Sequence, residues 1–388
     1  MEKLHIILIC PDGTSFSLIK QTGTLALALN GAGYQVSVLV GGTAKSPLAD
    51  LEGDVKVTHV APWQVPFGEH FGQLFGLGGP VNCAFFQRRH FRNALKNTIA
   101  DDSTIDIVHI MDVCYPHSLL AHAPEKLQMP VVGNVNRKSC LDVRTLKFWQ
   151  AGRHKKALAA LSPMVVSSHA LLDEARTAGY EHIALIPQGV RTEQFKPALS
   201  KRPVRRALGL PEKTVLVCCM ADITPQNAQL EMLEKCSPLS ADRQLLFIGD
   251  VKDHAYFEKI TERAEERDVQ DFIHFLAPQD NPQDYLKASD IFMLLGGIEE
   301  RHTTILEAQS AGLPVVLAPS ESSLMLCNGN RSGVVLYPNN PLAKQAFEKL
   351  LSDPTYRQGR AMNARPFVVK SFSFKGMLAD YCRLYQSL

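Results

Sequence analysis

Gly296-Gly297-Ile298-Glu299-Glu300-Arg301-His302-Thr303-Thr304-Ile305-Leu306-Glu307-Ala308-Gln309-Ser310-Ala311-Gly312-Leu313-Pro314-Val315-Val316 decides how this chain is read. It is a loop that becomes a helix, with two carboxylates, Glu299 and Glu307, eight positions apart across the junction. Thr303 or Thr304 is expected to cap the helix, leaving its first backbone N–H groups and the positive end of its dipole for an anion such as a diphosphate. Glu307, one turn further in, is then expected to point at what the diphosphate carries.

Outward from this segment, short apolar runs alternate with helical patterns along the whole chain, the signature of crossover units and parallel sheets. The first run is Leu4 to Cys10, followed by a turn at Pro11-Asp12-Gly13, a helix through Leu25–Leu29, and a second strand at Val36–Val40. Further strands are expected at Val55–Val60, Ile107–Ile110, Val131-Val132, Met164–Val166 and Ile183–Ile186. The alternation loosens at the polar, proline-bearing Ser200-Lys201-Arg202-Pro203 and restarts at Thr214–Val217. It then continues through Leu245–Ile248, Phe272–Phe275, Ile291–Leu294 and Pro314–Leu317. The fold class is α/β, with two Rossmann-like, doubly wound domains: 1–195, 196–370, and a terminal helix at 371–388 that returns to the first. Ligands of such sheets bind beyond the carboxyl ends of the strands, so the expected site is the cleft that the domains face.

Composition narrows the function classes. With 388 residues, one ordinary core is too few. Lys and Arg number 41 against 39 Asp and Glu, which argues against a nucleic-acid binder that depends on a broad basic face. The nine cysteines are scattered without a Cys-x2-Cys pair, so neither a disulfide framework nor a zinc site is expected; buried free thiols in a reducing compartment are. No signal peptide is read at the start and no run reaches the ~18 apolar residues of a spanning helix, so a cytoplasmic location is expected.

The opening segment resembles the Glu-x7-Glu motif of the family-four retaining glycosyltransferases, which have the GT-B fold. The resemblance implies that Glu299 touches the transferred sugar and Glu307 holds the nucleotide ribose. Ile186-Pro187-Gln188-Gly189-Val190-Arg191 through Pro197 is similar to the family's hinge, Gly249-Asp250 to its Val-Gly-Asp-Gly turn, and Phe372-Ser373-Phe374 through Tyr385 to its terminal helix. It implies retention, no metal, and no cofactor beyond the nucleotide sugar, which is a substrate.

Several of the family's positions are substituted. Where it has an Arg and, five positions later, a Lys for the donor diphosphate, this chain has Asp222 and Asn227. Two charge-assisted contacts of about 1.5–3 kcal/mol each would be absent, and an ionised Asp222 about 6 Å from a phosphate would add roughly 3 kcal/mol of repulsion at an effective dielectric near 20. Arg301 and His302, in the loop before the helix, are the candidates to restore positive charge, and Lys252 reads as solvated surface. Only Gly13 remains of the family's Gly-Gly turn after the first strand, and Asn136 stands where the family has a His near the reacting carbon. On the acceptor side, an aromatic, glycine-bearing loop runs from Trp63 to Lys96, and a basic stretch, Arg144 to Lys156, contains Phe148 and Trp149. Core packing accounts for the former, but both also suit a lipid-linked acceptor and peripheral membrane contact. The leading expectation is transfer of a sugar from a nucleotide sugar to a glycan or lipid-linked acceptor. The alternative is a catalytically degenerate relative that partners or regulates an active glycosyltransferase, favoured by the substitutions at 222, 227 and 136. A dehydrogenase is third, since no Gly-x-Gly-x-x-Gly follows the first strand.

Overall fold

The structure is a computed structural model that describes residues 3–11, 16–41, 55–60, 80–115, 117–121, 129–144, 146–298 and 301–388. Two compact units result, Met1–Pro187 with Leu378–Leu388, and Gln188–Met377.

The first unit is built on seven parallel strands: β1 His5–Cys10, β2 Gln35–Gly41, β3 Lys56–Val60, β4 Ile105–Ile110, β5 Val131–Val135, β6 Met164–Val166 and β7 Ile183–Leu185, in the order β3-β2-β1-β4-β5-β6-β7. Strand β1 is buried at every position, which explains its unbroken apolar run: helices cover both faces of a parallel sheet. Gly33, at φ +96°, turns the chain after the helix Phe16–Gly31 into β2. The second unit has six parallel strands, β8 Val215–Met220, β9 Arg243–Ile248, β10 Ile273–Leu276, β11 Ile291–Leu294, β12 Val315–Leu317 and β13 Gly333–Val335, in the order β10-β9-β8-β11-β12-β13. Every strand expected from the apolar runs is present; β13 was missed because three residues, Gly333-Val334-Val335, carry too little pattern to read.

The second unit begins at Gln188 rather than 196, because the intervening chain packs into that unit's core. Val190 and Phe195 are buried there, Val190 N–H donates to the Phe372 carbonyl (2.7 Å), and the Phe195 carbonyl accepts from Ser310 Oγ (2.7 Å). The helix Phe374–Gln386 passes from one unit to the other, its residues from Leu378 on belonging to the first. There Tyr385 Oη donates to His109 Nδ1 (2.6 Å), while His109 Nε2 and Tyr381 Oη donate to Asn134 Oδ1 (2.8 and 3.3 Å), so β4, β5 and the terminal helix share one buried polar network.

The cysteine expectation needs correction. Cys10, Cys218, Cys219, Cys236 and Cys327 are buried and outside any disulfide, but Cys114 and Cys140 form one. They lie 26 positions apart and meet only because β4 and β5 are neighbours, so no local spacing announces them.

Candidate functional site

Winding reverses between β8 and β11, and such a switch point opens a crevice at the carboxyl ends of the two strands. The loops that leave those ends are held tightly together by two glycines. A Cβ on Gly296 would lie 1.9 Å from the Gln226 carbonyl oxygen, and one on Gly249 would lie 2.3 Å from that of Ala221. Both obstacles are backbone, so no side chain fits at either position. The next residue, Gly297, turns at φ +59°.

The crevice holds a cavity of about 560 Å³ within this unit, lined after β8 by Asp222, Thr224, Gln226 and Asn227, after β11 by Gly296, Gly297 and Arg301, and after β12 by Pro319 and Ser320. The two substituted positions are spent on building this loop. Asp222 Oδ1 accepts from the Asp250 N–H (3.2 Å), and the Asp222 carbonyl accepts from Asn227 Nδ2 (2.7 Å) and Gln229 Nε2 (2.9 Å). Asn227, only 5% exposed, donates also to Thr224 Oγ1 (3.1 Å). Lys252 Nζ donates to Asp250 Oδ2 (2.8 Å) at the surface, and that bond, with the Asp250 and Asp222 charges, raises its pKa.

The helix of the opening segment spans His302–Ser310, and its start differs from expectation. Arg301 occupies the cap position and, among the described residues, no side chain caps the helix; Thr303 Oγ1 instead donates to Gln188 Oε1 (3.1 Å). Thr303 and Thr304 already lie inside the first turn, two and three residues past the cap position. An uncapped N-terminus keeps its donors and dipole for an anion. Arg301 lines the cavity with its Nε buried and without a partner among the described residues. Glu307 is partly exposed while Ile305, Leu306 and Ala308 around it are buried, so its side chain leaves the core face of the helix.

Of the residues singled out in the sequence, Arg301 thus lines the cavity itself, whereas Gly249, His302, Thr303, Thr304 and Glu307 belong to the adjoining turn and helix. Glu299 and Gly13 lie outside the described residues. Asn136 belongs to the first unit, just past β5, where its Nδ2 donates to the Met111 carbonyl (3.1 Å). Gln226, Pro319 and Ser320 were not foreseen; the paired glycines at 296 and 297, directly after an apolar strand, were the one signal that a neighbouring backbone comes close. A metal-ligating group was not expected, yet the donor atoms of Asp112, Cys114 and Cys140 lie within 4.8 Å of one another, the one such cluster among the described residues.

Residues 200–366 match the family model of the glycosyl transferases group 1. Curated relatives include a putative teichuronic acid biosynthesis glycosyltransferase, TuaC, of Bacillus subtilis, 23% identical over 242 residues, 61% of this chain and 59% of that protein. Another is the lipopolysaccharide core biosynthesis mannosyltransferase LpsB of Rhizobium meliloti, 24% identical over 223 residues, 55% of this chain and 64% of that protein. The matched stretches therefore span about 60% of these relatives. Among solved structures, Anabaena HepE in complex with UDP and glucose aligns with a TM-score of 0.73 at 17% identity, covering 99% of both chains. A glycosyltransferase from Rickettsia africae aligns with 0.74 at 18%, covering 100% and 99%. The fold is GT-B, and the group 1 glycosyltransferase resemblance lies in the second unit, which carries the candidate site.

Proposed function

We propose that this protein is a glycosyltransferase that moves a sugar, with retention, from a nucleotide-sugar donor held by the second unit to a glycan or lipid-linked acceptor. The observation that carries the reading is Arg301, which lines the cavity at the start of the helix His302–Ser310 and whose buried guanidinium Nε has no partner among the described residues. The donor's diphosphate sits against that helix start, with Arg301 supplying the charge that Asp222 and Asn227 do not. Glu307 takes the ribose, and Glu299 and Asn136 the transferred sugar. Asp222 lines the same cavity, where its carboxylate accepts the Asp250 N–H. Catalysis is then mostly positioning and stabilisation of the departing diphosphate. The group 1 match favours a transferase over a catalytically degenerate partner.

The test is a donor-hydrolysis screen over UDP-, GDP- and ADP-sugars. One donor is expected to turn over. Arg301→Ala should then lower donor affinity about 10- to 100-fold, the worth of one charge-assisted contact of about 1.5–3 kcal/mol. If no donor turns over and no nucleotide binds, the reading fails.

A lipid-linked acceptor would bring the first unit to a membrane. In the helix Phe148–Ala159 and its approach, Phe148 is 95% and Trp149 56% exposed, beside Lys147, Arg153, Lys155 and Lys156, with no acidic residue from 143 to 160. Aromatic side chains next to cations suit an anionic lipid interface. The Trp63 to Lys96 stretch supports this less: residues 61–79 lie outside the described ones, and Phe91 is buried in the core. No described helix is long and apolar enough to cross a membrane. Vesicles containing phosphatidylglycerol should sediment the protein where phosphatidylcholine vesicles do not, and the double variant Phe148→Ser, Trp149→Ser should abolish most of that binding. Equal binding by the double variant would remove this helix from the account.

A further inference from the structure

A second group of reactive side chains lies in the first unit, at the same end of its sheet as Asn136. Strands β4 and β5 are parallel neighbours, with Ile110 beside Gly133, so the chain leaving β4 (111–114) and the chain leaving β5 (136–140) emerge side by side. Three contacts join them. Asn136 Nδ2 donates to the Met111 carbonyl, Arg137 Nη2 donates to Asp112 Oδ2 (2.9 Å), and Cys114 is bonded to Cys140.

The surroundings of the two sulfurs differ. Cys140 is fully buried, and its carbonyl accepts from His154 Nε2 (2.7 Å), whose Nδ1 accepts from Ser118 Oγ (2.6 Å). Cys114 is partly exposed. Asp112, 6% exposed, accepts the Cys114 N–H at Oδ1 (3.2 Å), and the same oxygen lies 3.5 Å from Cys140 Sγ. A disulfide sulfur has no proton, so this last contact is a hydrogen bond only when Cys140 is a thiol. The carboxylate is therefore placed to hold a Cys140 thiol.

We propose that Cys114 and Cys140 form a reversible dithiol–disulfide site, with Cys114 the sulfur that meets the oxidant and Asp112 a positioning residue that holds the Cys140 thiol beside it. In the forward direction the Cys114 thiolate attacks a small-molecule disulfide, forming a mixed disulfide and releasing one thiolate. Cys140, its proton passing to solvent, then attacks Cys114 Sγ; the Cys114–Cys140 bond forms, the mixed disulfide breaks, and the second thiolate leaves and takes up a proton. The net change is protein dithiol plus small disulfide to protein disulfide plus two small thiols, and excess thiol reverses it. In a reducing compartment a disulfide of this kind is a switched element rather than a permanent staple. Oxidation pins the two loops together, and reduction frees the segment 136–140. Its effect on transfer rests on the role proposed for Asn136; the chemistry itself does not.

The full chain is equilibrated in buffers of reduced and oxidised glutathione, alkylated, and mapped by mass spectrometry. Cys114 and Cys140 should interconvert between two alkylated peptides and one cross-linked pair. Trypsin should cut after Arg137, Lys138 and Arg144 faster in the reduced protein. In Asp112→Ala the glutathione adduct on Cys114 should persist about tenfold longer or more, since nothing then holds the Cys140 thiol beside it. A merely structural aspartate would alter stability without trapping that adduct. The proposal is overturned if both cysteines stay alkylatable in oxidised glutathione, if tryptic rates are equal in the two states, or if the reduced protein holds stoichiometric zinc and resists oxidation. Nucleotide binding by the second unit should be the same in both states, so failure here leaves the donor site standing and failure there leaves this site standing.

Discussion

Asp290→Ala is expected to destabilise the second unit by about 3–5 kcal/mol, enough to leave most of it unfolded at moderate temperature. Asp290 immediately precedes β11 and ties it to the helix Lys201–Ala207 and to β8: Lys201 Nζ reaches Oδ1 (2.7 Å), and Arg205 Nη2 and the Leu216 N–H reach Oδ2 (2.5 and 2.8 Å). Arg205 is only 3% exposed, and its other donors go to the carbonyls of Ala288 (2.7 Å), Glu212 (3.2 Å) and Thr214 (3.0 Å). Burial alone would raise the Asp290 pKa, but Lys201 and Arg205 outweigh it and hold the carboxyl below its usual range. Removing the carboxylate strands a buried guanidinium, and that stranded charge accounts for most of the loss. Urea unfolding, with hydrogen exchange of the β8 and β11 amides to isolate this unit, measures it. A loss under about 1 kcal/mol would mean that the pair contributes no more than a surface one.

Acid should weaken the first unit over a different range. His109 is wholly buried, and burial lowers its pKa to about 4, with the Asn134 hydrogen bond opposing. Its Nδ1 must stay unprotonated to accept from Tyr385 Oη, while Nε2 donates to Asn134. The unfolded chain takes up this proton near pH 6.5, the native protein only near 4. Stability from the neutral ring is therefore complete above pH 6.5 and is lost as pH falls towards 4, by about 1.4 kcal/mol per unit and about 3 kcal/mol in all. His5 and His154, also lowered chiefly by burial, add in the same direction. His109→Gln should flatten the pH 4–6.5 slope seen in hydrogen exchange of β4 and β5 without abolishing it. An unchanged slope would assign the acid sensitivity elsewhere.

Much of the fold was legible because buried parallel strands are written as local apolar runs; β1 and β8 could be read directly. The unit boundary was not, because Val190 and Phe195 are pinned by Phe372, Ser310 and Arg365, partners more than a hundred positions away. The Cys114–Cys140 pair escaped for the same reason. At the candidate site, the sequence placed a helix where His302–Ser310 forms but misassigned its start: Thr303, two positions past the cap residue Arg301, bonds Gln188 instead of capping. Asp222 read as a lost cation, whereas its carboxylate and carbonyl organise the loop through Asp250, Asn227 and Gln229, contacts that spacing cannot reveal.

The account's central claim is that the second unit holds a nucleotide diphosphate at Arg301 and the start of the helix His302–Ser310. Calorimetric titration of the full chain with UDP, GDP and ADP tests it most directly, with Arg301→Ala and Glu307→Ala alongside. The account predicts that one nucleotide binds well below millimolar and that both variants weaken it. No binding by any of the three, or binding unchanged in both variants, would contradict it.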